Sequence, residues 1–222
     1  MKRKFKGDKK KGFGILTGFD RWFAKKLIPH VPSWVQTYHL TYTTILWCGL
    51  IILGGYLANS NLNWLLFVSL MIFFQYVTDL LDGKVGKERN TGLIQWGYYM
   101  DHFLDYVFLC SILISYSLML PTNYDFMMLL VLFVFGSFMV NSFLAFSATT
   151  EFKIHYLGVG PTEVRLIFIL INILIVIFGK SYMIWALPYV LVISFLGLVV
   201  VVYRKQKYIW ELDERVKGKR IQ

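Results

Sequence analysis

Six stretches of this chain are apolar for long enough to cross a bilayer, which takes about 20 residues of helix, and they rule out a soluble core as its organising principle. They run Thr41–Leu57, Leu62–Leu81, Leu93–Leu120, Phe126–Phe146, Glu163–Phe178 and Tyr182–Tyr203. The third can project beyond the hydrocarbon, and the fifth is short. In lipid, unpaired backbone N–H and C=O groups are so costly that a spanning segment is either a helix or part of a closed barrel. Runs this continuous point to helices, so the expected fold is an all-α integral membrane protein with six transmembrane helices. The residues are 57% hydrophobic, against about 45–50% in soluble domains. No internal repeat or long polar linker divides the chain. One six-helix domain is therefore expected over residues 41–203, with a basic tail at 1–12, an amphipathic segment at 13–40 and a second basic tail at 204–222.

The formal net charge of +10 would suit a nucleic-acid partner, but its distribution argues against one. Lys and Arg sit mainly in the first 26 residues, in the link carrying Lys84, Lys87 and Arg89, and after Tyr203. Basic residues flanking spans report topology and attraction to anionic headgroups. Lys153 and Arg165 flank the link between the fourth and fifth spans, whereas the remaining links carry only Asp125 and Lys180. Both termini and both basic links are thus expected on the cytoplasmic side. No compact apolar stretch with a cleavage site follows MKRKFKGDKKKG, so a signal peptide is not expected. Phe19, Trp22, Phe23 and Leu27 recur at helical spacing opposite Arg21, Lys25 and Lys26, which predicts a short interfacial helix; a plain linker is the alternative. Cys48 and Cys110 lie inside apolar runs and read as packed residues.

The acids are the informative exception. Asp79 and Asp82 stand three apart at the end of the second span, and Asp101 and Asp105 stand four apart in the third, so each pair shares a helix face. An ionised Asp inside an apolar helix costs about 2.5–3.5 kcal/mol by insertion scales. Four such acids near one another also repel. A bound cation would offset both costs, and an all-oxygen carboxylate set suits Mg²⁺ or Mn²⁺. The alternative is a set of solvated helix-end residues. A cation transporter lined by the same acids would place them near the bilayer midplane with a path to both faces, whereas these gather on one side.

The order Asp79, Asp82, Gly83, Gly97, Asp101 and Asp105 resembles the signature of the CDP-alcohol phosphotransferases, D-x2-D-G-x2-A-R-x8-G-x3-D-x3-D. The resemblance extends to the six-helix layout and the preceding amphipathic helix. Two departures stand out: Gly86-Lys87 replaces Ala-Arg, and nine residues rather than eight precede Gly97. The resemblance implies that Asp79, Asp82 and Asp101 hold the metal, that Asp105 is the general base beside it, and that the chain works as a homodimer. It implies a CDP-linked donor and an alcohol acceptor. Asp82-Gly83-Lys84, Asp101-His102 and Gly160–Val164 look like the choline/ethanolamine branch, which delivers phosphocholine or phosphoethanolamine to diacylglycerol. A donor of the CDP-diacylglycerol kind with a soluble acceptor is the rival, and an inactive family member is a further one. The host would be a bacterial inner membrane, or the endoplasmic reticulum in a eukaryote.

Several residues carry paired readings. Gly83 and Gly86 would let backbone approach the nucleotide. Lys87 keeps a cation near the donor phosphates, and Arg89 would supply the bidentate fork that Lys lacks. Thr41 resembles a family position near the cytidine, or is a helix N-cap. His102 lies about 100° around the helix from Asp101 and either assists the base or is packed. Glu163 and Arg165 either touch the substrate headgroup and phosphate or complement a helix end and mark topology. His155 either meets the donor or is solvated. His30 and His39 receive no role.

Overall fold

The computed structural model describes residues 15–149 and 160–220. The tail at 1–12, Lys153 and His155 lie outside the described residues. Helix α1 covers Thr17–Leu27, and a one-turn 3₁₀ helix at Ile28–His30 follows it. The spans are α2 (Thr37–Ala58), α3 (Trp64–Glu88), α4 (Ile94–Met119), α5 (Asp125–Thr149), α6 (Pro161–Phe178) and α7 (Lys180–Arg220), with a second 3₁₀ turn at Thr122–Tyr124 before α5. Six helices are long and apolar enough to cross a membrane, as expected.

Three helix limits differ from the sequence reading by four residues or more. Helix α2 begins at Thr37 rather than Thr41, because His39 closes its first turn: the Gln36 N–H donates to His39 Nδ1 at 2.9 Å. Thr41 is therefore inside the helix and does not cap it. Helix α3 continues to Glu88, so Gly83, Lys84, Gly86 and Lys87 are helical rather than part of a loop. The link to α4 is only Arg89–Leu93, turned at Asn90 (φ 58°), a residue type that tolerates left-handed backbone. Helix α7 runs past Tyr203 to Arg220, where the expected tail is helical. Its Lys, Arg, Gln and Glu residues are good helix formers that need no burial.

Helix α2 packs along both α3 and α4, α3 also meets α6, and α5 lies against α7. The α2–α4 approach depends on Gly55, where a Cβ would collide with the backbone and hydroxyl of Ser115. Small residues permit such contact where lipid offers little hydrophobic drive between helices. Ile51, Leu65, Ile72, Ile112 and Ile175 fill the centre. Beside them Tyr116 donates to Asn172 Oδ1 at 2.8 Å and Asn172 Nδ2 donates to Ser69 Oγ at 3.1 Å, tying α4, α6 and α3.

Helix α1 lies across one end of this bundle. Phe19 and Trp22 are exposed, while Ala24 is buried and Phe23 stacks on Tyr76 at 6.3 Å. Asp20, which carried no signal in the sequence reading, is its anchor. Tyr76 donates to one carboxylate oxygen at 2.7 Å, Thr162 to the other at 3.0 Å, and Lys84 Nζ to the Asp20 carbonyl at 3.0 Å.

Candidate active site

At the α1 end of the bundle, helices α2, α3 and α4 enclose a small polar cavity lined by Leu40, Thr41, Thr44, Gln75, Asp79, Asp82, Asp101, Leu104 and Asp105. All four aspartates of the sequence reading thus share one pocket. Helical spacing made each pair coplanar on its own helix; the packing of α2 against both α3 and α4 brings the pairs face to face.

Thr41 enters from α2 and donates to Asp82 Oδ2 at 2.5 Å. The other oxygen, Asp82 Oδ1, is buried with no hydrogen-bond partner. An orphaned carboxylate oxygen inside a pocket rich in carboxylate and hydroxyl oxygens fits a hard cation. Among the described residues, no three His, Cys, Asp or Glu side chains converge on a common point as they stand. Arg165 accounts for part of that spread: its Nη2 lies 3.0 Å from Asp79 Oδ2 and 3.2 Å from Asp105 Oδ1, and its Nε donates to Gln75 Oε1 at 2.6 Å.

A second cavity, of about 370 Å³, opens between α4, α5 and α6. Its walls are mostly aromatic and aliphatic, with Phe108, Phe135, Phe138, Phe143 and Phe168 among them. Asp79, Asp101 and Asp105 line both cavities, whereas His102 and Arg165 line only this one. His102 is packed beside Tyr98, with ring centroids 4.4 Å apart, and its Nδ1 lies 3.5 Å from Asp101 Oδ2.

The remaining residues of the sequence reading fall outside both linings. Gly83 has open space where a Cβ would stand, so backbone there is accessible. Gly86 is different: a Cβ on it would strike Thr37 Oγ1, and its carbonyl accepts the N–H groups of Thr91 and Gly92 at 3.0 and 3.1 Å. Its small size serves helix packing. Lys87 is exposed on the last turn of α3. Arg89 does not offer a free fork. Its guanidinium donates to the carbonyls of Val31 (2.8 Å), Pro32 (3.1 Å), Ser33 (3.4 Å) and Val35, closing the turn before α2. Glu163 is likewise engaged with backbone. Its Oε2 accepts from Gly160 N–H and its Oε1 from Leu16 N–H, both at 2.9 Å, so it caps α6 and ties α1 to it.

Gln75 and Thr44 are site residues that the sequence reading missed. Gln75 had a visible signal, a polar residue one turn before Asp79 in an apolar helix, but its partner Arg165 lies far along the chain.

The fold and this site together define a helical membrane protein whose carboxylate pocket opens onto an apolar cleft at one end of the bundle. The chain belongs to the CDP-alcohol phosphatidyltransferase family, whose pattern it matches over residues 30–202. It is accordingly an enzyme of phospholipid synthesis that moves a substituted phosphate group from a CDP-linked donor to an alcohol, and the transporter reading falls away. No match is found among curated proteins.

Proposed function

We propose that the enzyme transfers phosphoethanolamine or phosphocholine from its CDP ester to a lipid alcohol of the diacylglycerol type, with Mg²⁺ or Mn²⁺ held by Asp79, Asp82, Asp101 and Asp105. The observation that carries this reading is the apolar cleft of about 370 Å³ sharing three carboxylates with the polar cavity. The small polar cavity suits an ion that grips the donor diphosphate and the cleft suits an acyl chain, and the two meet at Asp79, Asp101 and Asp105. The cleft also favours a lipid acceptor. Its mostly aromatic and aliphatic walls offer an acceptor's acyl chains apolar contact and carry few groups that would recognise a polar, soluble alcohol.

When bound, the divalent ion would neutralise donor pyrophosphate oxygens and the charge that builds as CMP leaves. Asp105 lines both cavities, which suits it to take the proton of an acceptor hydroxyl arriving through the cleft. In the balanced step the acceptor oxygen bonds to phosphorus, the bond to CMP breaks, and the hydroxyl proton passes to Asp105. His102 borders the cleft beside Asp101, from where it assists the base. Gly83 admits nucleotide to the backbone, and Lys87 supplies a cation at the mouth.

The site faces the cytoplasm in this reading, because Lys84, Lys87 and Arg89 stand at the same end as the carboxylates. The enzyme works there as a homodimer, as the family resemblance implies. The test is purified protein with Mg²⁺ or Mn²⁺, radiolabelled CDP-ethanolamine, CDP-choline or CDP-diacylglycerol, and mixed lipid and soluble alcohols. CMP release from a CDP-amino-alcohol with diacylglycerol is expected. Release only from CDP-diacylglycerol, with a soluble acceptor, would replace this reading with the rival.

A further inference from the structure

Arg165 is the only Lys or Arg lining either cavity among the described residues, and only 4% of its surface is exposed. Three helices fix it. From α6 it reaches Gln75 and Asp79 on α3 and Asp105 on α4, and its guanidinium carbon lies 5.5 Å from the Phe108 ring centroid. Its Nη1 takes part in none of these bonds among the described residues. The guanidinium borders the apolar cleft but not the polar cavity, so it meets Asp79 and Asp105 from the cleft side.

We propose that Arg165 is an internal counter-cation that competes with the divalent ion for Asp79 and Asp105 and so sets the metal affinity of the site. The inference rests on the metal-binding reading above. Four carboxylates sharing one pocket repel, and one guanidinium bridging two of them relieves part of that repulsion. The same bridge holds an oxygen of each away from a common point with Asp82 and Asp101, in keeping with the lack of convergence among the four. An ion that gathers all four must turn Asp79 and Asp105 toward the polar cavity and loosen their hold on Arg165. It must also accept a positive charge nearby. In a partly buried site of low effective dielectric, charges a few ångströms apart interact strongly, so the guanidinium weighs against a divalent neighbour.

This role separates cleanly from a merely structural one, because the two give metal affinity opposite signs. An Arg that only braced the helices would, when removed, leave the acids disordered and weaken ion binding. A competing cation would, when removed, strengthen it. Mn²⁺ binding to the full chain in detergent or nanodiscs, followed by electron paramagnetic resonance, reads the sign directly and needs no turnover.

Arg165→Met is expected to bind Mn²⁺ about ten-fold tighter than the parent or better. Arg165→Lys, which keeps the charge, should stay within about three-fold of the parent. Arg165→Gln keeps a hydrogen-bonding group beside Gln75 and gives the same reading as the Met variant should that one fail to fold. Equal or weaker Mn²⁺ binding by the neutral variants, with the parent binding normally, overturns the counter-cation role and leaves the metal site standing. Absence of Mn²⁺ binding in the parent overturns both.

Discussion

Thr41 on α2 and Asp82 on α3 share a hydrogen bond of 2.5 Å that holds one carboxylate oxygen and leaves its twin buried without a partner. The bond orients an acid that lines the polar cavity. Thr41→Val should remove the donor and leave both oxygens unsatisfied, costing about 1–3 kcal/mol of stability. Thermal unfolding in detergent checks the loss. Added Mn²⁺ should recover more stability in this variant than in the parent, since the ion then becomes the principal partner of Asp82.

Asp105 stands where the two cavities meet. Asp105→Asn should lower transfer by about 10²–10⁴-fold with a smaller loss of metal-dependent CDP-donor binding, because the proton acceptor is lost while three carboxylates still hold the ion. Turnover with radiolabelled donor and equilibrium binding to the same preparation separate the two quantities. Weakened binding with full turnover at saturating donor would show that Asp105 is a ligand and not the base.

Gly83 and Gly86 sit three residues apart on α3 and should respond differently to the same change. At Gly83 an alanine Cβ meets nothing within 4 Å, so Gly83→Ala should leave stability near that of the parent and raise the donor KM. At Gly86 the Cβ meets the Thr37 hydroxyl and the Gly92 backbone, and Gly86→Ala should cost about 1–3 kcal/mol from overpacking. Unfolding temperatures and donor titrations of both variants read the contrast.

Asp20 fastens the amphipathic helix to the bundle through Tyr76 and Thr162. Asp20→Ala should cost about 2 kcal/mol, near 1 kcal/mol for each hydrogen bond removed. It should also raise hydrogen–deuterium exchange in Thr17–Leu27 above that of α3 and α6. Unchanged exchange in α1 would mean that Phe23 stacking on Tyr76 and the Glu163 contact suffice to hold it.

Arg89 is held by the turn it closes. Arg89→Lys should therefore lose stability, since a single ammonium does not reproduce the fan of bonds to Val31, Pro32, Ser33 and Val35. Its effect on donor KM should be small beside that of Gly83→Ala. A large rise in donor KM at unchanged stability would return Arg89 to the phosphate-binding role read from the sequence.

What the sequence alone determined is whatever period and hydropathy encode. Apolar runs specify six helices because lipid leaves the backbone no alternative, and spacings of three and four place Asp79 with Asp82 and Asp101 with Asp105 on single faces. The amphipathic pattern of Phe19, Trp22 and Phe23 against Arg21, Lys25 and Lys26 likewise predicts α1. Tertiary structure decided which polar groups meet across elements, because a pattern within one helix carries no information about its neighbours. Arg89 looks like a free charge in the sequence yet is held by the carbonyls of Val31, Pro32, Ser33 and Val35, and Glu163 caps its own helix while also holding the N–H of distant Leu16. Asp20 looks like a surface acid yet joins three helices. Arg165 lies far along the chain from Asp79 and Asp105, and only the packing of α6 against α3 brings its guanidinium to their carboxylates.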